Sequence, residues 1–101
     1  LLHAQNKLGE AEAVLAQTLT YDREKLGDEH RLTLGSIANL SSVLHAQGKY
    51  EEAEPLCREA LAGYRKALGD GHPHTLTSIN LLAVLKMLAS IGGVSLPVLV
   101  F

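Results

Sequence analysis

Hydrophobic and polar positions follow one another along most of this chain with the spacing of an amphipathic helix. Between residues 50 and 68, apolar or small residues recur every three or four positions, which places them on one side of a helix. They are Tyr50, Ala53, Cys57, Ala60, Leu61, Tyr64 and Leu68. Glutamates occupy the first turn, where carboxylates favour the positive end of the helix dipole, and Gly69 can end the helix in a left-handed conformation. This pattern predicts a helix over residues 50–68.

The segment before this helix has a broader distribution of apolar residues. Between Thr33 and Ala46 they surround much of the helical circumference, so this helix is expected to pack on more than one side. The short connection Gln47-Gly48-Lys49 requires antiparallel neighbours, and Pro73 suits the first turn of a further helix. The chain is therefore predicted to be all-α, with helices over residues 8–26, 33–46, 50–68 and 75–88. Residues 1–5 are expected to complete a first, truncated hairpin.

The helical pattern repeats along the chain with an offset of 42 residues. Residues 3–12 read HAQNKLGEAE and residues 45–54 read HAQGKYEEAE. Residues 2–40 aligned with residues 44–82 give 19 identical pairs out of 39 without a gap. Such self-similarity is the signature of a repeat array. We predict a partial repeat over residues 1–27, a full repeat over residues 28–69 and a partial repeat over residues 70–87, cut from a longer array.

Small residues at the expected helix contacts follow the pattern of a known repeat. The series Ile37, Leu40-Ser41, Leu44, Gly48, Tyr50, Ala53, Cys57 and Ala60 resembles the tetratricopeptide repeat, whose usual period is about 34 residues. The longer period, the stretch over residues 48–61 and the loop with Leu68-Gly69-Asp70 and His72-Pro73 are similar to the repeats of kinesin light chains. This resemblance covers residues 2–87. It implies a short right-handed solenoid of tandem antiparallel helical hairpins.

The resemblance also implies where a partner would bind. In tetratricopeptide arrays the first helices of the hairpins line a concave groove for peptides, and the positions facing it here would be Gly35, Ala38, Asn39, Ser42 and His45. Asn39 matches an asparagine that holds the peptide backbone in kinesin light chains, and an amide suits this task because it donates and accepts hydrogen bonds. His3 would extend the same face. We predict peptide binding by Asn39, Ser42, His45 and His3, with the alternative that Asn39 is merely an exposed polar residue or makes a local structural bond.

The implied function is that of an adaptor or scaffold, whose partner is a protein or peptide. In a kinesin-light-chain-like parent, kinesin heavy chain or cargo would be partners, and the protein would be cytoplasmic or associated with the cytoskeleton. Similar repeats occur in nephrocystin-like and other scaffold or signalling proteins, so the alternative is a purely architectural solenoid segment. A groove that clamps a C-terminal carboxylate is not expected, because the predicted helix Thr33–Ala46 has no Lys or Arg.

Composition argues against other functional classes. The chain has 9 basic and 11 acidic residues, which are interspersed. The sequence therefore shows no basic segment of the kind that binds nucleic acid or an anionic membrane. Histidines that are repeat equivalents, such as His30 and His72, should lie a repeat apart rather than converge on a metal. The lone Cys57 lies in the core stripe, and no glycine-rich phosphate loop follows a strand. We predict no enzyme activity, no metal and no cofactor.

The pattern ends in an atypical apolar tail over residues 88–101. A third decapeptide should begin after Met87, but the chain reads LASIGGVSLPVLVF and carries no charged side chain there. Gly92-Gly93 and Pro97 interrupt the segment, which makes it a poor membrane span. Three interpretations stay open: a truncated or misread gene end, a cap over the last hairpin, or the start of a membrane segment.

Overall fold

Four helices make up the part of the chain that the computed structural model describes, residues 2–90. They are α1 (Leu2–Leu26), α2 (Arg31–Ala46), α3 (Tyr50–Leu68) and α4 (Pro73–Ser90). No strand occurs among these residues. Each helix packs against the next one in the chain, so α2 is covered by α1 on one side and by α3 on the other. The predicted all-α class with helical hairpins is confirmed.

Glycines end the helices where the repeat pattern placed them. Gly69 follows α3 with φ 87°, and its amide donates a hydrogen bond to the carbonyl of Arg65 at 3.1 Å. Gly48 lies in the turn between α2 and α3 with φ 81°, next to a bond from the Lys49 amide to the Leu44 carbonyl at 2.9 Å. A positive φ suits glycine because it has no Cβ to clash with the backbone. The predicted ends at residues 46 and 68 are confirmed.

The truncated hairpin predicted for residues 1–5 is wrong. α1 runs without interruption from Leu2 through Asn6 and Lys7, which correspond to Gly48 and Lys49 of the turn between α2 and α3. Within a helix asparagine is more favourable than glycine, and α1 contains no proline that would break it. The local sequence therefore favours one helix of 25 residues. Leu1 lies outside the described residues.

Small side chains bring α2 and α3 close together. Ser41 and Ala53 are fully buried, and the Ser41 hydroxyl donates a hydrogen bond to the Ala53 carbonyl at 3.0 Å. On the other side of α3, the thiol of Cys57 donates to the Ser78 carbonyl of α4 at 3.4 Å. Burial raises the pKa of this thiol, which keeps it protonated and suits it to a structural contact. The predicted role of these small residues in helix packing is confirmed by their burial.

Ion pairs join α1 to the following repeat. The Arg23 guanidinium binds both carboxylate oxygens of Glu59 on α3, at 2.7 and 2.9 Å, and this raises the pKa of Arg23. Lys49, immediately before α3, binds Glu12 of α1 at 3.1 Å. Both pairs connect positions about one repeat apart, and each adds a modest electrostatic term because the side chains are partly exposed.

Histidine side chains cap α2 and α4, the first helices of the second and third repeats. The Nδ1 atom of His30 accepts a hydrogen bond from the Leu32 amide, and that of His72 accepts one from the His74 amide, both at 3.1 Å. These bonds satisfy amides that the first helical turn leaves without a partner. The repetition of this histidine therefore has a structural cause. α2 and α4 begin at Arg31 and Pro73, two residues earlier than predicted.

α4 continues to Ser90, so it includes the first three residues, 88–90, of the segment predicted as the tail. The three interpretations of the tail over residues 88–101 stay open, because residues 91–101 lie outside the described residues. Among residues 2–90, none of the helices has the combination of length and hydropathy needed to cross a membrane.

Candidate functional site

A groove runs between α2 and α4, with Tyr64 of α3 between them. Its cavity measures about 640 Å³. Residues of three helices and of one helix cap line it: His30, Arg31, Leu32, Gly35, Ala38, Asn39, Ser42, Tyr64, His74, Thr77 and Ser78. Most of the polar side chains that line the cavity are uncharged, and none of the eleven lining residues that the structure describes carries a carboxylate.

One side of α2 forms the longest wall of the groove. Its residues recur at the spacing of three and four that keeps side chains on one helical face. Gly35 leaves this face open: a Cβ at that position would stand 3.9 Å from the Tyr64 hydroxyl. Burial raises the pKa of Tyr64, and the nearby charge of Arg31 acts in the opposite direction. The Tyr64 hydroxyl is therefore a neutral hydrogen-bonding group at the floor of the groove.

Two of the four predicted binding residues lie on this wall. Asn39 and Ser42 line the cavity, and both side chains are exposed. Within the described part of the chain, neither side chain hydrogen-bonds to another protein group. Their polar atoms are therefore available to a ligand that enters the groove. Whether a peptide binds them stays a prediction.

The other two predicted residues are His45 and His3. His45 does not line the cavity; its ring packs against Tyr50 with the centroids 5.5 Å apart. Its Nε2 atom is buried without a hydrogen-bond partner among the described residues, and burial lowers the pKa of this histidine. The side chain of His3 lies outside the described residues. The structure thus brings Asn39 and Ser42 together without His45.

The end of the groove near the helix starts contains residues that the sequence pattern did not single out for binding. The imidazole of His74 stacks on Tyr64 at 5.4 Å and on His72 at 5.1 Å. Arg31 was missed because the start of the helix was placed at Thr33. The expectation that this helix carries no Lys or Arg is corrected, since α2 begins at Arg31. The repeated histidine cap was the signal that could have located this helix start.

The groove offers hydrogen-bonding groups on small residues rather than a reactive centre. An amide, hydroxyls and a guanidinium face a cavity with room for backbone atoms beside Gly35 and Ala38. No group of three or more His, Cys, Asp or Glu side chains converges as metal ligands in the described part of the chain. This arrangement can pair with the amides and carbonyls of an extended segment.

Comparison with known families identifies the repeat. Residues 33–74 match the family model described as a tetratricopeptide repeat. The match extends from α2 through α3 to the start of α4, and it covers one period of 42 residues, counted from 33 to 74 inclusive. It therefore contains the α2 wall of the groove together with Tyr64. A search of curated proteins found no match.

Proposed function

We propose that this chain, a tetratricopeptide-repeat protein, binds an extended peptide segment of a partner protein in the groove between α2 and α4. Tetratricopeptide repeats mediate protein–protein interaction, and helical solenoids use their concave surfaces for it. The observation that carries the proposal is the cavity of about 640 Å³, on whose wall Asn39 and Ser42 expose polar atoms.

Asn39 would hold the backbone of the peptide. Its amide can donate to a peptide carbonyl and accept from a peptide N–H, while Ser42 lies one helical turn further along the same wall. Gly35 and Ala38 leave room for the peptide backbone between these groups and Tyr64. A longer peptide would extend toward His45 and His3, which we keep as proposed contacts beyond the cavity.

The role of the parent protein would be that of an adaptor or scaffold, as in the binding of cargo by kinesin light chains. The support for this finer proposal is the period of 42 residues and the similarity of the loop after α3, both of which resemble those repeats. Cargo or kinesin heavy chain would then be reached through the parent protein, in the cytoplasm or on the cytoskeleton.

A second candidate function is architectural. Large apolar side chains are exposed on α1 and α4, outside the groove, including Val14, Tyr21 and Met87. These surfaces suit a segment that supports neighbouring helices of a solenoid. In that case the groove would not be a binding site for an extended peptide.

A peptide-binding experiment separates the two functions. Peptides are selected against the whole chain from a random display library, and the affinity of one selected peptide is measured by fluorescence polarisation. Asn39→Ala removes the backbone-directed group and should cost about 0.5–1.5 kcal/mol, or roughly 2- to 10-fold in Kd. Asn80→Ala is the matched control, because Asn80 is exposed on α4 and does not line the cavity.

Circular dichroism of each variant verifies that the helices are retained. The proposal requires weaker binding by the Asn39→Ala protein and unchanged binding by the Asn80→Ala protein. If no peptide is selected, or if both variants bind like the original chain, the architectural function is the better explanation.

A further inference from the structure

Among the residues that the structure describes, the first helix α1 and the last helix α4 each leave one face uncovered. On α4 this face consists of Leu76, Ile79, Ala83 and Lys86, called here the α4 end face. Its repeat equivalents on α2 are covered by α3, and all of them are buried: Leu34, Ile37, Ser41 and Leu44. Leu34 is 1% exposed, whereas its equivalent Leu76 is 48% exposed. At Leu76 and Ile79 the α4 end face therefore has the apolar residues of a surface that a helix of the α3 type covers, whereas Lys86 stands at the position of Leu44.

α1 carries the complementary uncovered face. Val14, Thr18 and Tyr21 form the α1 end face, and their equivalents on α3 are Leu56, Ala60 and Gly63. On α3 these positions pack toward α2: Ala60 is buried, and a Cβ on Gly63 would touch Leu34. Val14 and Tyr21 are instead 61% and 60% exposed. α1 is thus a helix of the α3 type whose partner face is uncovered within the described residues.

We propose that two copies of this chain associate head to tail, with the α1 end face of one copy on the α4 end face of the other. Such a contact repeats the packing of α3 on α2 inside one chain, and it continues the row of helices from one copy into the next. Burying exposed apolar side chains at both faces supplies the driving force.

One pair of opposite charges would form at the edge of this contact, although Lys86, the equivalent of Leu44 beside Lys49, would bring a like charge near Lys7. Inside the chain Lys49 binds Glu12 at 3.1 Å, and the repeat equivalents of these residues are Lys7 and Glu54. In the head-to-tail arrangement Lys7 of one copy would lie beside Glu54 of the other copy, with opposite charges. Arg65 would likewise meet Gln17 where Arg23 meets Glu59 inside the chain, and a glutamine oxygen can accept from a guanidinium.

The contact between copies cannot reproduce the internal one at every position. Tyr21 stands where Gly63 allows Leu34 to approach the backbone of α3. Its ring would lie over Leu76, so this end of α1 must sit farther from α4 than α3 sits from α2. Association should therefore be weaker than the internal packing and should depend on protein concentration.

The geometry is heterologous, because the two contacting faces belong to different helices. Each added copy presents a further α4 end face, and growth does not stop at a dimer. Sedimentation velocity of the whole chain over a dilution series should show a weight-average mass that rises with concentration beyond that of two chains. A mass that stays at one chain throughout the series would overturn the proposal.

Variants at the two faces test the arrangement directly. Leu76→Arg blocks the α4 end face, and Val14→Arg blocks the α1 end face; each variant alone should be monomeric. An equimolar mixture should form dimers that grow no further, because the free α1 face of the first variant can bind the free α4 face of the second. Ala62→Arg, at an exposed site on α3, should associate like the original chain.

Other arrangements give different results. A symmetric contact between two α4 end faces would leave the Val14→Arg protein dimeric, and one between two α1 end faces would leave the Leu76→Arg protein dimeric. Either result, or a mixture of folded variants that stays monomeric, would overturn head-to-tail association. Circular dichroism verifies the folding of each variant. The two variants are also refolded together, so that any association of one variant with itself cannot prevent the two from pairing.

Discussion

Gly63 lies at the closest contact between α3 and α2, and its substitution by alanine should destabilise the fold. A Cβ built at this position would overlap Cδ2 of Leu34 and lie 2.9 Å from Cδ1 and 3.2 Å from Cγ of the same side chain. Leu34 is fully buried, so it has little room to move away. Overpacking of this kind costs about 1–3 kcal/mol.

Helix propensity acts in the opposite direction. Alanine is more favourable than glycine inside a helix by about 0.5–1 kcal/mol. The free energy of unfolding of Gly63→Ala should therefore fall by about 1 kcal/mol, the balance of these two terms. Gly9→Ala is the matched control, because Gly9 also lies inside a helix and has nothing within 4 Å of its Cβ position. This control should gain stability.

Urea denaturation followed by helical circular dichroism measures both variants. The difference between them isolates the overlap with Leu34 and should be about 1–3 kcal/mol. In a Leu34→Ala background the overlap disappears, so Gly63→Ala should become stabilising there, as Gly9→Ala is in the original chain. An equal gain from Gly63→Ala and Gly9→Ala in the original chain would refute the close contact.

Two further predictions concern the helix contacts and His45. Ala53→Leu should lower the free energy of unfolding by about 1–3 kcal/mol, because Ala53 is fully buried against Ser41. Glu51→Ala, at an exposed site, should change it by no more than about 0.5 kcal/mol. Equal shifts in Tm for the two variants would contradict this packing. Burial lowers the pKa of His45 below its value of 6.5 in the unfolded chain, so the unfolded state binds the proton first and stability falls as the pH drops through about 6.5. His45→Leu should reduce this loss between about pH 7.5 and 5 in denaturation curves, and an unchanged pH dependence would argue against a buried imidazole.

The repeat made most of the fold predictable. Identical residues at an offset of 42 positions mark the same turns twice, and glycine at residues 27 and 69 ends two helices with nearly the same positive φ, 88° and 87°. The apolar spacing of α3 predicted its bounds without error. The sequence predicts these helix boundaries well because the positions of glycine and proline and the spacing of the apolar residues all favour the same boundaries.

The helix starts were less predictable, and this affected the candidate site. A capping histidine does not belong to the usual Ser, Thr, Asp and Asn set, so the starts at Arg31 and Pro73 were placed two residues late. As a result, the structure places Arg31 and His74 in the lining of the groove, where the sequence pattern did not predict them. The position of Tyr64 beside Gly35 depends on packing between repeats, which the pattern within one helix does not contain.

The groove is built asymmetrically, because α4 does not copy the polar positions of α2. Leu81 occupies the repeat position of Asn39, and it packs against the core instead of presenting an amide. Asn80, one position earlier, is exposed but does not line the cavity, where α4 contributes His74, Thr77 and Ser78. The backbone-holding asparagine implied by the family resemblance is therefore not repeated at the equivalent position of α4. A peptide in this groove would be held through its backbone mainly at Asn39, and a short segment crossing α2 should contain most of the determinants of binding.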